Sequence, residues 1–240
     1  MKVNGRVTRE PETWVLPGED RVYLDGRLLR PEDRVYLVLY KPKGYLCTRE
    51  DPAGRPTIYG LLNDVKSWVF NVGRLDLDTS GLLILTNDTE LGELLTNPAY
   101  KVPKTYLVKA NGLLSDEQLQ ALRDGVELKD GPTLPAQVRR VRDSGKYTHL
   151  EIRIYEGRNR QVRRMLEAID SKVLKLVRTA IGPLEIGGLE IGKHRPLTND
   201  EVQALKSLAM ASGGKPMGKR QKRDWDHEAD TASWLDSEEE

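Results

Sequence analysis

Short runs of β-branched and aromatic residues recur along this 240-residue chain, and turn-forming residues interrupt each run before it becomes long. Residues 34–40 and 82–86 are examples, and such runs predict buried strands. Segments with apolar residues at helical spacing lie among them, and Asp88 and Ser115 are placed to cap two of these segments. Because helices are interspersed among predominating strands, we predict an α+β fold with a mostly antiparallel mixed sheet and flanking helices.

The predicted elements divide the chain into three parts. Residues 1–33 have the turn signals Asn4-Gly5 and Asp25-Gly26, which are typical of short strands joined by tight turns. Residues 34–208 carry strands predicted at 34–40, 68–72, 82–86, 104–110, 148–155 and 172–178, and helices predicted at 88–97, 115–122, 159–169 and 196–205. Residues 209–240 are rich in charge and poor in apolar side chains, which predicts a disordered tail.

Charge is distributed unevenly along the chain. The formal net charge is only +1, so the total does not point to any class of partner. Residues 136–180, however, contain twelve Arg or Lys and five Asp or Glu, whereas residues 218–240 contain four basic and eight acidic residues. This segregation indicates a basic working face and a separate polar tail.

Several classes of function are disfavoured by what the sequence lacks. Cys47 is the single cysteine and the three histidines are far apart, so we expect no disulfide and no metal site. No GxGxxG or P-loop motif occurs, and we therefore expect no nucleotide cofactor. No signal-peptide pattern and no membrane-spanning apolar run is present, so we expect a cytoplasmic protein without a membrane partner.

A polar loop between two strong predicted strands is the first candidate site. It runs from Gly73 to Gly81 and carries Asp76 and Asp78 beside Arg74. A carboxylate held by a rigid scaffold can act as a nucleophile. Taken alone, the composition favours a plain turn whose Asp, Thr and Ser side chains bond their own backbone.

The second candidate is the basic helix predicted at 159–169. Its apolar residues fall on one side, while Arg160, Arg163 and Arg164 fall on the other and are expected to project outward together. Glu167 is the only acid among them, which favours a polyanion such as RNA over an ordinary solvated face. The third candidate is Tyr106 on a predicted strand, for which core packing is favoured over base stacking or proton transfer when it is taken alone.

Read together, these segments resemble the RsuA/RluB family of ribosomal RNA pseudouridine synthases. Residues 73–88 (GRLDLDTSGLLILTND) look like the family's catalytic segment, residues 104–108 (KTYLV) like its second motif and residues 156–165 (EGRNRQVRRM) like its third. Residues 40–44 (YKPKG) and 181–184 (IGPL) match in order and spacing. The resemblance covers roughly residues 34–205 and implies a pseudouridine synthase fold.

The resemblance also implies roles for individual residues. Asp76 matches the catalytic aspartate, and Tyr106 matches the tyrosine that lies against the target base. Arg163 matches the basic residue that pairs with the catalytic carboxylate, and such a pair would keep Asp76 ionised and oriented. We further expect RNA contacts from five basic residues: Arg74, Lys104, Arg158, Arg160 and Arg164.

The expected reaction isomerises a uridine of ribosomal RNA to pseudouridine, without a cofactor. The uridine would be flipped out of its stack, and the carboxylate could attack ribose C1′ or ring C6, or assist through a glycal. The expected partner is ribosomal RNA or a pre-ribosomal particle, with large-subunit RNA favoured, and the protein is expected to be a monomer. The alternative is a non-catalytic RNA-binding or ribosome-assembly protein on the same scaffold, against which Asp76, Tyr106 and Arg163 argue.

The N-terminal residues depart from the rest of the family pattern. Residues 3–8 and 17–26 look like the second half of an S4 RNA-binding domain, without the helices that normally come before it. We therefore expect a partial S4-like segment over residues 1–33, followed by a catalytic domain over residues 34–208.

Overall fold

The computed structural model describes residues 1–16, 18–30 and 32–212. These residues form two compact units, Met1–Arg34 and a second unit that begins at Val35. The tail predicted for residues 209–240 lies outside the described residues from position 213 onward, whereas residues 209–212 belong to the last helix. No helix within the described ranges is long and apolar enough to cross a membrane.

The first unit is a small antiparallel sheet with the strand order β2-β1-β3-β4. The left-handed residue pairs Asn4-Gly5 and Asp25-Gly26 form the turns that join its strands, as the sequence predicted. No described residue of this unit is buried, so its strands enclose no core of their own. Its strands are β1 (Lys2–Val3), β2 (Arg6–Val7), β3 (Val22–Leu24) and β4 (Arg27–Leu28).

The second unit holds the remaining strands and all helices of the described chain. Its strands are β5 (Tyr36–Lys41), β6 (Phe70–Asn71), β7 (Ser80–Thr86), β8 (Lys104–Asn111), β9 (Glu127–Leu128), β10 (Gly131–Pro132), β11 (Gln137–Ser144), β12 (Tyr147–Ile154), β13 (Val173–Ile181), β14 (Leu184–Glu185) and β15 (His194–Pro196). Its α-helices are α1 (Thr89–Thr96), α2 (Asp116–Asp124), α3 (Gln161–Glu167) and α4 (Asn199–Ser212), and short 3-10 turns occupy Ile58–Leu61 and Pro98–Tyr100.

The predicted helix caps are present. The Asp88 carboxylate accepts hydrogen bonds from the backbone N–H groups of Glu90 and Leu91 at the start of α1. Ser115 and Gln118 form a reciprocal capping box at the start of α2, and Gly125 follows its last residue. These side chains satisfy N–H groups that have no partner within their own helix, which fixes where each helix begins.

One nine-stranded mixed sheet organises the second unit. Its main path runs β11-β12-β8-β13-β7-β5-β15, with β14 beside β13 and β6 beside β7. The β13–β7 pair is parallel, and the other strand pairs described in this sheet are antiparallel. The mixed, mostly antiparallel α+β fold predicted from the sequence is therefore confirmed.

Both faces of this sheet are covered, and β7 shows this best. Leu82 and Ile84 belong to the apolar cluster with residues of α1 and α4, while Leu83 and Leu85 belong to the cluster around Ile58. Alternate side chains of a strand point to opposite faces, so β7 is buried on both sides, which explains its continuous apolar run. A further cluster packs α2 and α3 against β8, β11 and β12.

Candidate active site

A cleft of about 370 Å³ opens where the loop before β7 meets the start of β8, the middle of β13 and the turn before α3. This volume is within the usual range of small-molecule sites, about 300–1,000 Å³. Six of the eight residues that the sequence predicted for the site line this cleft: Arg74, Asp76, Lys104, Tyr106, Arg158 and Arg160.

The loop that carries Asp76 is tethered at both ends and in its middle. The side chains of Leu75 and Thr79, on either side of Asp76, are buried, and the Thr79 N–H donates to the Asp76 carbonyl at 3.1 Å. The Gly44 N–H donates to the Leu77 carbonyl at 2.7 Å. The loop is therefore more than the plain self-bonded turn that its composition alone favours, because distant parts of the chain hold it.

Lys41 is the strongest of these tethers. Its side chain is fully buried at the end of β5, and its Nζ donates to the backbone carbonyls of Pro42 (3.0 Å), Asp76 (3.0 Å) and Thr79 (2.8 Å). Burial lowers the pKa of Lys41, and the nearby Cys47, Asp76 and Asp78 oppose this. The sequence places Lys41 within the matching residues 40–44 but indicates no role for it. Its acceptors in Asp76 and Thr79 lie 35 and 38 positions further along the chain, so no local pattern reveals these contacts.

The Asp76 side chain faces the cleft, with 30% of its surface exposed. Its ion-pair partner is Arg160, whose Nη1 lies 3.8 Å from Asp76 Oδ2. The same guanidinium donates two hydrogen bonds, of 3.0 and 3.2 Å, to the Asp78 carboxylate. The Asp76 carboxylate is therefore accessible from the cleft and lies near a positively charged guanidinium.

Arg163 differs from its expected position. Its side chain is buried instead of projecting outward from α3, and its Nη2 lies 3.2 Å from Asp78 Oδ2 and donates to the Asp78 carbonyl at 2.9 Å. Among the described residues, the carboxylate that pairs with Arg163 is that of Asp78, so the expected direct pair with Asp76 is not formed. Arg163 instead ties the segment that follows Asp76 to β13, because its Nη2 contacts Asp78 and its Nη1 donates to the Val173 carbonyl at 3.4 Å.

Asp78 was noted in the loop but received no role from the sequence. Burial alone would raise the pKa of its carboxyl, but hydrogen bonds from Arg160 and the charge of Arg163 lower it below its ordinary value. Asp78 is therefore a charged anchor between the loop and α3. In the sequence, only its proximity to Asp76 marks Asp78 as a candidate, because its partners Arg160 and Arg163 are more than 80 positions away.

Arg158 and Arg164 are largely occupied by contacts within the protein. Arg158 donates to the carbonyls of Gly131 (2.8 Å) and Pro132 (2.6 Å) and to Glu156 Oε2 (3.1 Å). Arg164 makes two hydrogen bonds with Asp130, of 2.7 and 3.2 Å. Both arginines therefore fix the β9–β10 hairpin against α3 and the turn before it. The helix pattern predicted that Arg164 projects outward, and RNA contacts from Arg158 and Arg164 were expected from the resemblance.

The opposite wall of the cleft is formed by the sheet. Tyr106 and Arg178 are direct partners in the antiparallel β8–β13 pair, and Lys104 lies two residues before Tyr106. Direct partners, and residues two apart on a strand, share one face, so the three side chains form one surface. Burial and the charge of Arg178 lower the pKa of Lys104 to about 8. Arg178 was missed as a site residue, because on its own it is one basic residue at the end of a predicted strand.

The chain is similar to known proteins in sequence and in fold. The family model described as RNA pseudouridylate synthase matches residues 35–168. A solved structure titled as a pseudouridylate synthase is 33% identical, with a TM-score of 0.68 over 85% of this chain and 87% of that one. The chain belongs to the RNA pseudouridylate synthase family, a family of isomerases.

Individual relatives are similar to this chain over most of their length. The ribosomal large subunit pseudouridine synthase B of Bacillus subtilis is 41% identical over 87% of this chain and 86% of its own. An uncharacterized RNA pseudouridine synthase of Aquifex aeolicus is 44% identical over 85% of this chain and 83% of its own. The resemblance found in the motifs is therefore confirmed at the level of the family.

Proposed function

We propose that this protein isomerises a uridine of large-subunit ribosomal RNA to pseudouridine, with Asp76 as the catalytic carboxylate. The observation that carries the proposal is the placement of Asp76: it is partly exposed on the wall of a nucleotide-sized cleft and held by a loop that is itself tethered. A pre-positioned carboxylate of this kind loses little freedom when it reacts. The name of the Bacillus subtilis relative supports ribosomal RNA as the substrate.

The residues in the cleft fit the chemistry of this isomerisation. The bond between ribose C1′ and uracil N1 breaks, the base turns, and a bond forms between C1′ and C5 before C5 loses its proton. Asp76 either bonds to the nucleotide or assists the formation of a glycal, in the manner of a carboxylate that serves a glycosidic carbon. Tyr106 lies on the sheet wall where a flipped base would stack, and it is a candidate to receive the C5 proton.

The cationic groups around the cleft fit an RNA ligand. The side chains of Arg74 and Arg160 are exposed at its rim, where phosphates of a flipped nucleotide and its neighbours would lie. Arginine binds phosphate oxygens through a planar fork of donors. Arg160 would exchange part of its contact with Asp78 for such a phosphate.

The test is the Asp76→Asn variant, assayed on unmodified large-subunit RNA. The asparagine keeps the shape of the side chain but loses its nucleophilic charge, so we expect isomerisation to fall by at least about 10³-fold and RNA affinity to change little. The matched control is Asp170→Asn, an exposed aspartate in the left-handed region that Asn tolerates. Full activity of Asp76→Asn would refute the assignment, and a wild-type protein that binds RNA without forming pseudouridine would support the non-catalytic alternative.

A further inference from the structure

Arg178 is a buried cation that the proposed roles above leave unused. Only 4% of the residue is exposed, and its Nε donates to the Leu82 carbonyl at 2.8 Å. Its Nη2 is buried and has no hydrogen-bond partner among the described residues. A buried donor without a partner lowers stability, and a charged donor does so more strongly.

Lys104 stands beside Arg178 without a counter-charge of its own. Within residues 1–16, 18–30 and 32–212, no carboxylate forms an ion pair with either side chain, although both line the cleft. Desolvation and the charge of Arg178 lower the pKa of Lys104 to about 8, so the two cations are close enough to repel each other. Asp78, by contrast, in the loop that carries Asp76, is paired with both Arg160 and Arg163.

Two like charges held together in a largely dry wall indicate a ligand that carries negative charge at that point. The wall is on the face of Tyr106, where the base of a flipped nucleotide would lie, and Arg178 is too deeply buried to meet solvent. When the bond from C1′ to N1 breaks, its electron pair stays on the base and is shared by N1 and the oxygens O2 and O4. Negative charge therefore develops on the uracil during the reaction.

We propose that Lys104 and Arg178 form an anion-stabilising wall that holds the negative charge of the detached uracil. The role rests on the proposed isomerase function and adds to it two groups that act on the leaving base. The Lys104 ammonium, on the cleft lining, donates to a uracil oxygen, and the buried Arg178 guanidinium supplies a second positive charge from behind it. Fixed donors that meet charge as it develops lower the barrier without lowering the energy of the starting complex.

The same positive charges could instead serve a phosphate oxygen of the RNA, and two measurements distinguish the two sources. The variants are Lys104→Met and Arg178→Gln, with Lys109→Met as a matched control on the same strand but outside the cleft. Single-turnover rates at saturating RNA report on charge that develops in the reaction. RNA affinities, measured for each variant combined with Asp76→Asn, report on phosphate contacts.

We expect each cleft variant to lower the single-turnover rate by about 10²-fold, with RNA affinity within twofold and Lys109→Met unchanged. The rate loss should shrink on RNA that carries 5-fluorouridine at the target, when loss of the starting nucleotide is followed, because fluorine stabilises the negative charge of the detached base. An unchanged rate, a loss confined to RNA affinity, or an equal loss on both substrates would overturn the proposal. Lys104→Met keeps the test valid if Arg178→Gln unfolds, since the Lys104 ammonium makes no hydrogen bond to the described residues.

The outcome is separable from that of the proposed function. If the wild-type protein forms no pseudouridine, or if Asp76→Asn keeps full activity, the isomerase assignment fails and the anion wall fails with it. If the wild-type protein is active and Asp76→Asn is not, but the two wall variants behave like Lys109→Met, only the anion wall is refuted.

Discussion

Lys104 and Lys41 are both lysines at sheet positions beside the cleft, yet their ammonium groups have different surroundings. Lys41 donates to three carbonyl oxygens, so its burial is compensated. Lys104 has no such contact, and its pKa falls to about 8 from an ordinary 10.5 because of burial and the charge of Arg178. Lys41 therefore stabilises the fold. Lys104 lowers stability, and it lies in the cleft, where its charge would stabilise an anionic ligand.

We predict that Lys104→Met stabilises the folded protein at pH 7. Below pH 8 the lysine is charged in both states, and the folded state carries the full penalty of burying it. One pKa unit corresponds to about 1.4 kcal/mol, and with a discount for partial exposure we expect the free energy of unfolding to rise by about 1–3 kcal/mol. Urea unfolding at pH 7 measures this.

The same variant also has a pH signature. Between about pH 8 and the ordinary pKa of 10.5, the unfolded wild-type chain binds more protons at Lys104 than the folded protein does. Wild-type stability from this group therefore rises with pH in that window, and the advantage of Lys104→Met should be smaller at pH 9.5 than at pH 7. A variant that is less stable at pH 7, or an advantage that does not change with pH, would contradict the buried-charge account.

At the scale of elements, the loop before β7 depends on strand β5 for its shape. Lys41, the last residue of β5, donates from one ammonium to the carbonyl groups of Asp76 itself and of Thr79, three residues further along the loop. The preceding strand residues are buried and paired with β7, so β5 is a rigid support. The conformation of the loop therefore depends on the sheet as much as on the loop residues themselves.

We predict that Lys41→Met destabilises the protein by about 2–4 kcal/mol, because several buried acceptors lose their donor at once. Hydrogen exchange should be faster at the amides of Leu75 and Thr79, which are bonded within or beside the loop. Lys43→Met, an exposed lysine two residues further along, is the matched control. A Lys41→Met protein with wild-type stability and unchanged exchange at these amides would show that the three hydrogen bonds do not hold the loop.

Elements whose signals are local were predictable from the sequence, and those that depend on distant partners were not. Strand β7 and helices α1 and α2 carry their apolar patterns and caps within their own residues. Strand β11 was missed, since its charged run QVRRVRDS shows no strand pattern and it forms only by pairing with β12 at the sheet edge. The burial of Arg163 was missed for the same reason, because the carbonyl of Asp78 that it binds is 85 positions away.

The roles of the arginines in the basic region also depend on distant partners and could not be predicted from the sequence. Its excess of positive charge marked residues 136–180 as a basic face. In the structure, however, Arg139 pairs with Glu151, Arg140 with Asp116 and Asp143, and Arg164 with Asp130. A count of charges along the sequence cannot separate arginines that join elements from arginines that face a ligand.

The whole molecule has its apolar clusters in one unit. All three clusters consist of residues from Val35 onward, and no described residue before position 35 is buried. Each cluster joins helices or turns to the same nine-stranded sheet. The stability of the second unit is therefore expected to come from its own residues, since burial of apolar surface is the main favourable term in folding.

We predict that a chain that begins at residue 35 folds and unfolds like the full chain, with a Tm within about 3 °C of it. It should also keep the single-turnover rate at saturating RNA, because every residue that lines the cleft lies beyond position 70. The predicted S4-like role of residues 1–33 then has a separate readout. If that segment binds RNA, its removal weakens RNA affinity and lowers the salt dependence of binding, in proportion to the number of phosphates that its basic side chains neutralise. An insoluble or strongly destabilised product would contradict the independence of the second unit, and an unchanged affinity would contradict the S4-like role.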